Sequence, residues 1–99
     1  NPDYSLAHVL NALLKFEKKD FLGAQEELEN NIKEGCEDNF TLAALSKVYR
    51  ELSLFEKAEN TILKVISQTP ESLNYKCQLA EIYIAEKKYD NSILKENLS

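Results

Sequence analysis

The sequence predicts an all-α fold of paired helices, and three observations carry that reading: apolar residues recur in steps of three and four, helix breakers are scarce, and landmark residues return every 34 positions. Steps of three and four place side chains on one face of a helix, whereas a strand alternates every two. Only 2 Gly and 2 Pro occur in 99 residues, of which 29% are charged and 43% hydrophobic. A hairpin-rich β protein needs more turn residues than that. A chain of this length forms one domain with a shared core and leaves little room for an enclosed catalytic pocket.

The recurrence sets a single frame. Ala24 and Ala58, Tyr49 and Tyr83, Phe21, Phe55 and Tyr89, and Pro2, Cys36 and Pro70 are each spaced by 34 residues. Predicted helices cover roughly residues 4–18, 21–34, 39–52, 55–68, 72–86 and 89–98. The first carries Leu10, Leu13, Leu14 and Phe16; the second opens on Phe21 and Ala24, and Gly35 ends it by adopting a left-handed conformation. Leu42, Leu45 and Tyr49 define the third. Phe55, Ala58, Ile62 and Val65 define the fourth, and Pro70 stops it, lacking an N–H and disfavouring helix in the residue before it. The fifth holds Leu79 and Tyr83, and the sixth, with Tyr89 and Ser92, is short because the sequence stops at Ser99.

The frame also explains residue types. Small Ala24, Ala58 and Ser92 fall where the second helix of a pair crosses the first, and the aromatic ring three positions earlier plugs the turn. Tyr49 and Tyr83 are expected between helices, each hydroxyl needing a partner. Cys36 and Cys77 show no metal-ligand spacing and are read as reduced, packed as small apolar residues. The triplets Asn39-Phe40-Thr41 and Asn97-Leu98-Ser99 fit the glycosylation acceptor pattern, which matters only in a secretory compartment, and are read as chance.

Leu45, Tyr49, Phe55, Ala58 and Pro70 in the middle unit, Leu79, Ala80, Tyr83 and Tyr89 in the last, and Pro2, Phe21 and Ala24 in the first together resemble the tetratricopeptide repeat, a family of 34-residue helix-turn-helix units. The resemblance spans the chain. It implies a right-handed α-solenoid of three repeats, approximately residues 3–36, 37–70 and 71–99, the last truncated, within a longer protein. Pro2-Asp3-Tyr4 resembles the turn between two repeats. The first helix departs from the pattern: Asn11, Ala12 and Lys15 stand where the middle unit has Leu45, Ser46 and Tyr49. Either that helix is rotated, or its apolar surplus faces something outside the domain. Cys36 replaces the stop-proline of the first unit, and Ser92 and Glu96 weaken the last helix.

The resemblance further implies a concave face built by the first helix of each pair, where partner peptides or helices lie. Its candidate residues are Leu6, Val9, Leu13 and Phe16, then Phe40, Ala43, Lys47 and Arg50, then Asn74, Cys77, Glu81 and Ile84. Val9, Leu13, Phe16, Lys47, Arg50 and Glu81 are the expected partner contacts. Some relatives clamp the C-terminal carboxylate of chaperones with cations in this groove. At the matching places this chain has Val9, Leu13, Ala44, Cys77 and Glu81, which supply no cation, so that clamp is not expected. Arg50 and Lys47 are read as solvated beside Glu51 and Glu81, and Glu26-Glu27-x-Glu29 as a solvated convex face. Lys18-Lys19 and Lys87-Lys88 are placed at the ends of first helices, opposing the helix dipole.

Several functions are disfavoured. A net charge of -5 with interleaved lysines repels a phosphate backbone, so no nucleic acid partner is expected. No apolar run approaches the ~20 residues of a membrane span, and the location expected is cytoplasmic, although an anchor or signal could lie outside this segment. No nucleophile–base pair, phosphate loop, metal set or cofactor motif is evident, and His8, with Ser5 its only nearby nucleophile, is read as a helix-surface residue rather than a base. The chain is therefore expected to be no enzyme but an interaction scaffold or adaptor binding a protein or peptide partner. The alternatives are a self-associating spacer within a longer array, giving a homo-oligomer, and a regulatory domain attached to an enzyme.

Overall fold

The computed structural model describes the backbone of residues 2–35 and 37–98 and the side chains of residues 6–35 and 37–90. Among these, five helices form: α1 (Pro2–Glu17), α2 (Phe21–Lys33), α3 (Asn39–Glu51), α4 (Phe55–Gln68) and α5 (Leu73–Leu98). The described residues contain no strand, as the all-α reading requires. The first four helices start and end within two residues of the predicted bounds.

Capping explains those bounds. The Asp20 carboxylate accepts from the Gly23 amide at 3.0 Å and Asp38 from the Thr41 amide at 2.8 Å, so α2 and α3 each begin with a satisfied N–H. Gly23 leaves room for this, since a Cβ there would collide with the Asp20 carboxylate. Gly35 has φ 94 and donates to the Ile32 carbonyl at 2.9 Å, the left-handed stop expected of it. Thr69, Pro70 and Glu71 lie in the turn after α4. The turns within the two hairpins match: Lys19 (φ 64) and Ser53 (φ 62) are left-handed, and the amides that follow, Asp20 and Leu54, donate to the Lys15 and Tyr49 carbonyls at 2.8 and 2.9 Å.

Two expectations fail here. Pro2, expected in a turn, is the first residue of α1, where its fixed φ suits a helix start and its missing N–H is one no helical partner would use. The sixth helix is not separate: α5 is one element of 26 residues running straight through 87–88. Lysine favours helix, and no Gly, Pro or capping side chain interrupts it there, so Lys87 and Lys88 sit mid-helix rather than at an end. The third unit is thus a single helix. Ser92 and Glu96 have side chains outside the described residues, as does Ser5, and Cys36 lies outside them altogether.

Consecutive helices pack on one another, and α3 touches all four others. It is accordingly the core helix, with Thr41 to Ser46, Val48 and Tyr49 all buried. Ala24 and Ala58 are fully buried at the crossings, as predicted, and the Ser46 hydroxyl donates to the Ala58 carbonyl at 2.8 Å where α4 crosses α3. Ala12 occupies the place of Ser46 in the first hairpin and is also buried. The first helix is therefore not rotated; its surplus residues Leu10 and Leu14 face outward. Asn31 Nδ2 donates to Thr41 Oγ1 at 3.3 Å, and the Tyr49 and Tyr83 hydroxyls donate to Glu29 and Glu59 on the preceding helix at 2.7 and 3.0 Å; Tyr49 is buried between helices as expected, whereas Tyr83 is exposed, because no sixth helix packs over it. The molecule measures 53 × 31 × 20 Å, with α5 as its long member.

Candidate partner-binding groove

Because α1, α3 and α5 lie on one side, with α2 and α4 between them in sequence, their facing residues meet in an open concavity of about 510 Å³. Leu13 comes from α1, Phe40, Ala43, Ala44 and Lys47 from α3, and Asn74, Tyr75, Cys77, Gln78 and Glu81 from α5. The Gln78 amide donates to the Ala43 carbonyl at 2.8 Å and so ties α5 to α3 at the floor. Phe40 is exposed at the apolar end.

Three of the six expected contacts, Leu13, Lys47 and Glu81, line this groove. Lys47 is exposed and makes no hydrogen bond or ion pair among the described residues. Arg50 stands beside Glu81 and is already engaged, its Nη1 2.7 Å from Glu81 and its Nη2 3.3 Å from Glu51, so it neutralises the groove's acid rather than offering a cation. Val9 is corrected to a core position: at 1% exposure it belongs to the buried cluster with Ala12 and Ala24. Phe16 is likewise displaced, half-buried and set edge-on to Phe21 with ring centroids 5.2 Å apart, plugging the α1–α2 turn. Leu6 and Ile84 are exposed outside the lining set.

Cys77 was expected to be packed and is instead an exposed free thiol on the groove wall. Tyr75, Gln78 and Ala44 complete the lining. Tyr75 and Gln78 were not foreseen, although Gln78 stands 34 residues after Ala44 and the frame alone would have found it.

The acidic run of α2 is also corrected, because only Glu26 is solvated. Glu27 lies between His8 Nδ1 at 2.8 Å and Lys15 Nζ at 2.9 Å, joining α1 to α2. Hydrogen bonds from Lys15 and then His8 hold its carboxyl below the usual carboxylate range, and the same contact raises Lys15. His8 is thereby a half-buried partner of Glu27. Burial pushes Glu29 up, but hydrogen bonds from Tyr49 and Gln25 with the charges of Lys57 and Lys33 outweigh it and leave the group low. Burial, then the Glu29 contact, raises Tyr49 far above the usual phenol range, so its hydroxyl stays a donor.

Among the described residues no helix is long and apolar enough to cross a membrane, and no three His, Cys, Asp or Glu side chains gather where a metal would sit. No protein-family model, curated protein or solved structure matches the chain.

Proposed function

We propose that this chain is a protein-interaction module of the tetratricopeptide type, whose groove receives a short segment or helix of a partner protein. The observation that carries this reading is the convergence of Leu13, Phe40, Ala43, Lys47, Asn74, Cys77 and Glu81 from three helices onto one open concavity. Apolar Leu13 and Phe40 suit a large apolar side chain. Lys47, a groove-lining cation with no partner among the described residues, suits a carboxylate a turn away on the same segment. A chaperone-type carboxylate clamp finds no support, since Val9 is core and Leu13 and Ala44 are apolar.

Selection of peptides from a random display library against the folded chain tests the reading. Recovered peptides are expected to pair a large apolar residue with Asp or Glu, and Lys47→Glu is expected to weaken them roughly tenfold, the equivalent of about 1.4 kcal/mol. Peptides that bind the Lys47→Glu and Phe40→Ala proteins as well as the parent would move the site elsewhere.

A further inference from the structure

The outer face of α1 carries a second surface, separate from the groove. The 34-residue frame aligns Asn11 and Leu14 of α1 with Leu45 and Val48 of α3 and with Leu79 and Ile82 of α5, and Ala7 with Thr41, while Leu10 lies one turn before Leu14 and its counterparts Ala44 and Gln78 border the groove. On α3 this face packs on α2, whose Asn31 bonds Thr41, and α5 packs in the same way on α4. Val48 and Ile82 are accordingly 2% and 0% exposed, whereas Leu14, at the same place in the frame, is 56% exposed and Leu10 50%. Apolar residues stand here as if to be covered.

The two covered faces define what belongs on the third. Each covering helix presents an apolar stripe, Leu28 and Ile32 in α2 and Ile62 and Val65 in α4, and each carries a carboxylate to the far edge of the helix it covers: Glu29 to Tyr49 and Glu59 to Tyr83. The α1 residue at that edge, in frame with both tyrosines, is Lys15. It is partly exposed even while bound to Glu27. A cation where the other two faces offer a hydroxyl to a carboxylate keeps the same complementarity and strengthens it. A second copy does not meet the requirement, because its α2 and α4 are each already packed between two neighbours.

We propose that the α1 face bearing Leu10 and Leu14 docks an amphipathic helix of a partner protein, one with an apolar stripe and an acidic residue placed to reach Lys15. The test uses as probe a peptide of residues 55–68 of this chain, held helical by a crosslink between the exposed positions 60 and 64, since this sequence covers the matching face of α5 and carries Glu59. Fluorescence anisotropy is expected to show binding to the intact chain below roughly 100 µM. Leu10→Gln with Leu14→Gln should weaken it at least about tenfold and Glu59→Gln in the peptide about threefold, while Lys47→Glu leaves it unchanged and so separates this surface from the groove. Should the double variant unfold, Leu14→Lys alone, at an exposed helix position, serves in its place. No binding at about 1 mM, or equal binding by the variant, overturns the proposal. So does a concentration-dependent dimer of the chain that the variant dissolves, because the occupant is then a second copy.

Discussion

The turn at Ser53 and the unbroken helix at Lys87 occupy the same place in the 34-residue frame, yet one reverses the chain and the other continues it. Local signals do not separate them. Neither site has Gly or Pro, and the residue that would cap the following helix is Leu54 in one case and Lys88 in the other, neither with a side-chain acceptor. A left-handed Ser53 costs about 1–2 kcal/mol. What offsets that cost is downstream: α4 buries Ala58, Ile62 and Val65 completely between α3 and α5. At the matching positions after Lys87 the sequence has Ser92, Glu96 and Ser99, so folding back would bury a carboxylate and little apolar surface. The chain reverses where reversal buries a core, and Ala80, in frame with Ser46, stays exposed in consequence.

The largest effect expected of a single change is at the crossing itself. Ala58→Leu should cost about 1–3 kcal/mol by overpacking against Ser46, while Ala80→Leu, in frame with Ser46 but exposed, stays within about 0.5 kcal/mol; urea unfolding of both variants measures the gap. Equal losses would mean that the distal part of α5 folds back in solution. Next comes the tyrosine pair. Tyr49→Phe removes a donor from the half-buried Glu29 and should cost about 1.5 kcal/mol, whereas Tyr83→Phe, at an exposed hydroxyl, should leave the melting temperature unchanged.

Glycine at the two frame-matched positions is expected to act with opposite sign. Ser53→Gly relieves the left-handed backbone and should stabilise by roughly 0.5–1 kcal/mol after the added freedom of the unfolded chain is counted. Lys87→Gly, inside a helix, should reduce helicity by circular dichroism and destabilise by at most about 1 kcal/mol. Two stabilising results would show that α5 bends at Lys87.

The smallest difference is in pH response and distinguishes the two hairpins. Glu27 joins α1 to α2, but its frame equivalent Thr61 bonds the Lys57 carbonyl of its own helix and, among the described residues, nothing on another helix. Because the Glu27 carboxyl is held below its ordinary 4.5, its stabilisation is complete above that pH and is lost as pH falls through the lowered folded value. The stability advantage of the parent over Glu27→Gln should therefore shrink as pH falls from about 5 through the lowered folded value, read as converging urea midpoints. A constant difference across that range would show that Glu27 acts by packing alone.

Much of the groove was legible from the frame. Leu13, Phe40, Ala43, Lys47, Asn74, Cys77 and Glu81 follow from the face that the resemblance assigns to each first helix, because helical periodicity fixes direction once that face is chosen. Val9 was misassigned because groove and core faces adjoin on a helix, and a shift of one position moves a side chain by about 100°. Burial of Val9 depends on where α2 and α3 lie. Glu27 was unreadable for a related reason: its partners are 12 and 19 residues away, and nothing in an acidic run announces which member points inward.

The sequence by itself determined the helical class, the bounds of α1 to α4, the stops at Gly35 and after Gln68, and the small residues at two crossings, because these rest on periodicity, caps and side-chain volume within a few residues of each other. Only the tertiary structure decided that Lys87 continues a helix while Ser53 turns one, that Arg50 is committed to Glu81 while Lys47 is not, and that Leu10 and Leu14 stay open while Val48 and Ile82 close. Each of those outcomes depends on whether a second helix arrives to bury a face, a condition set by contacts between residues far apart in the chain.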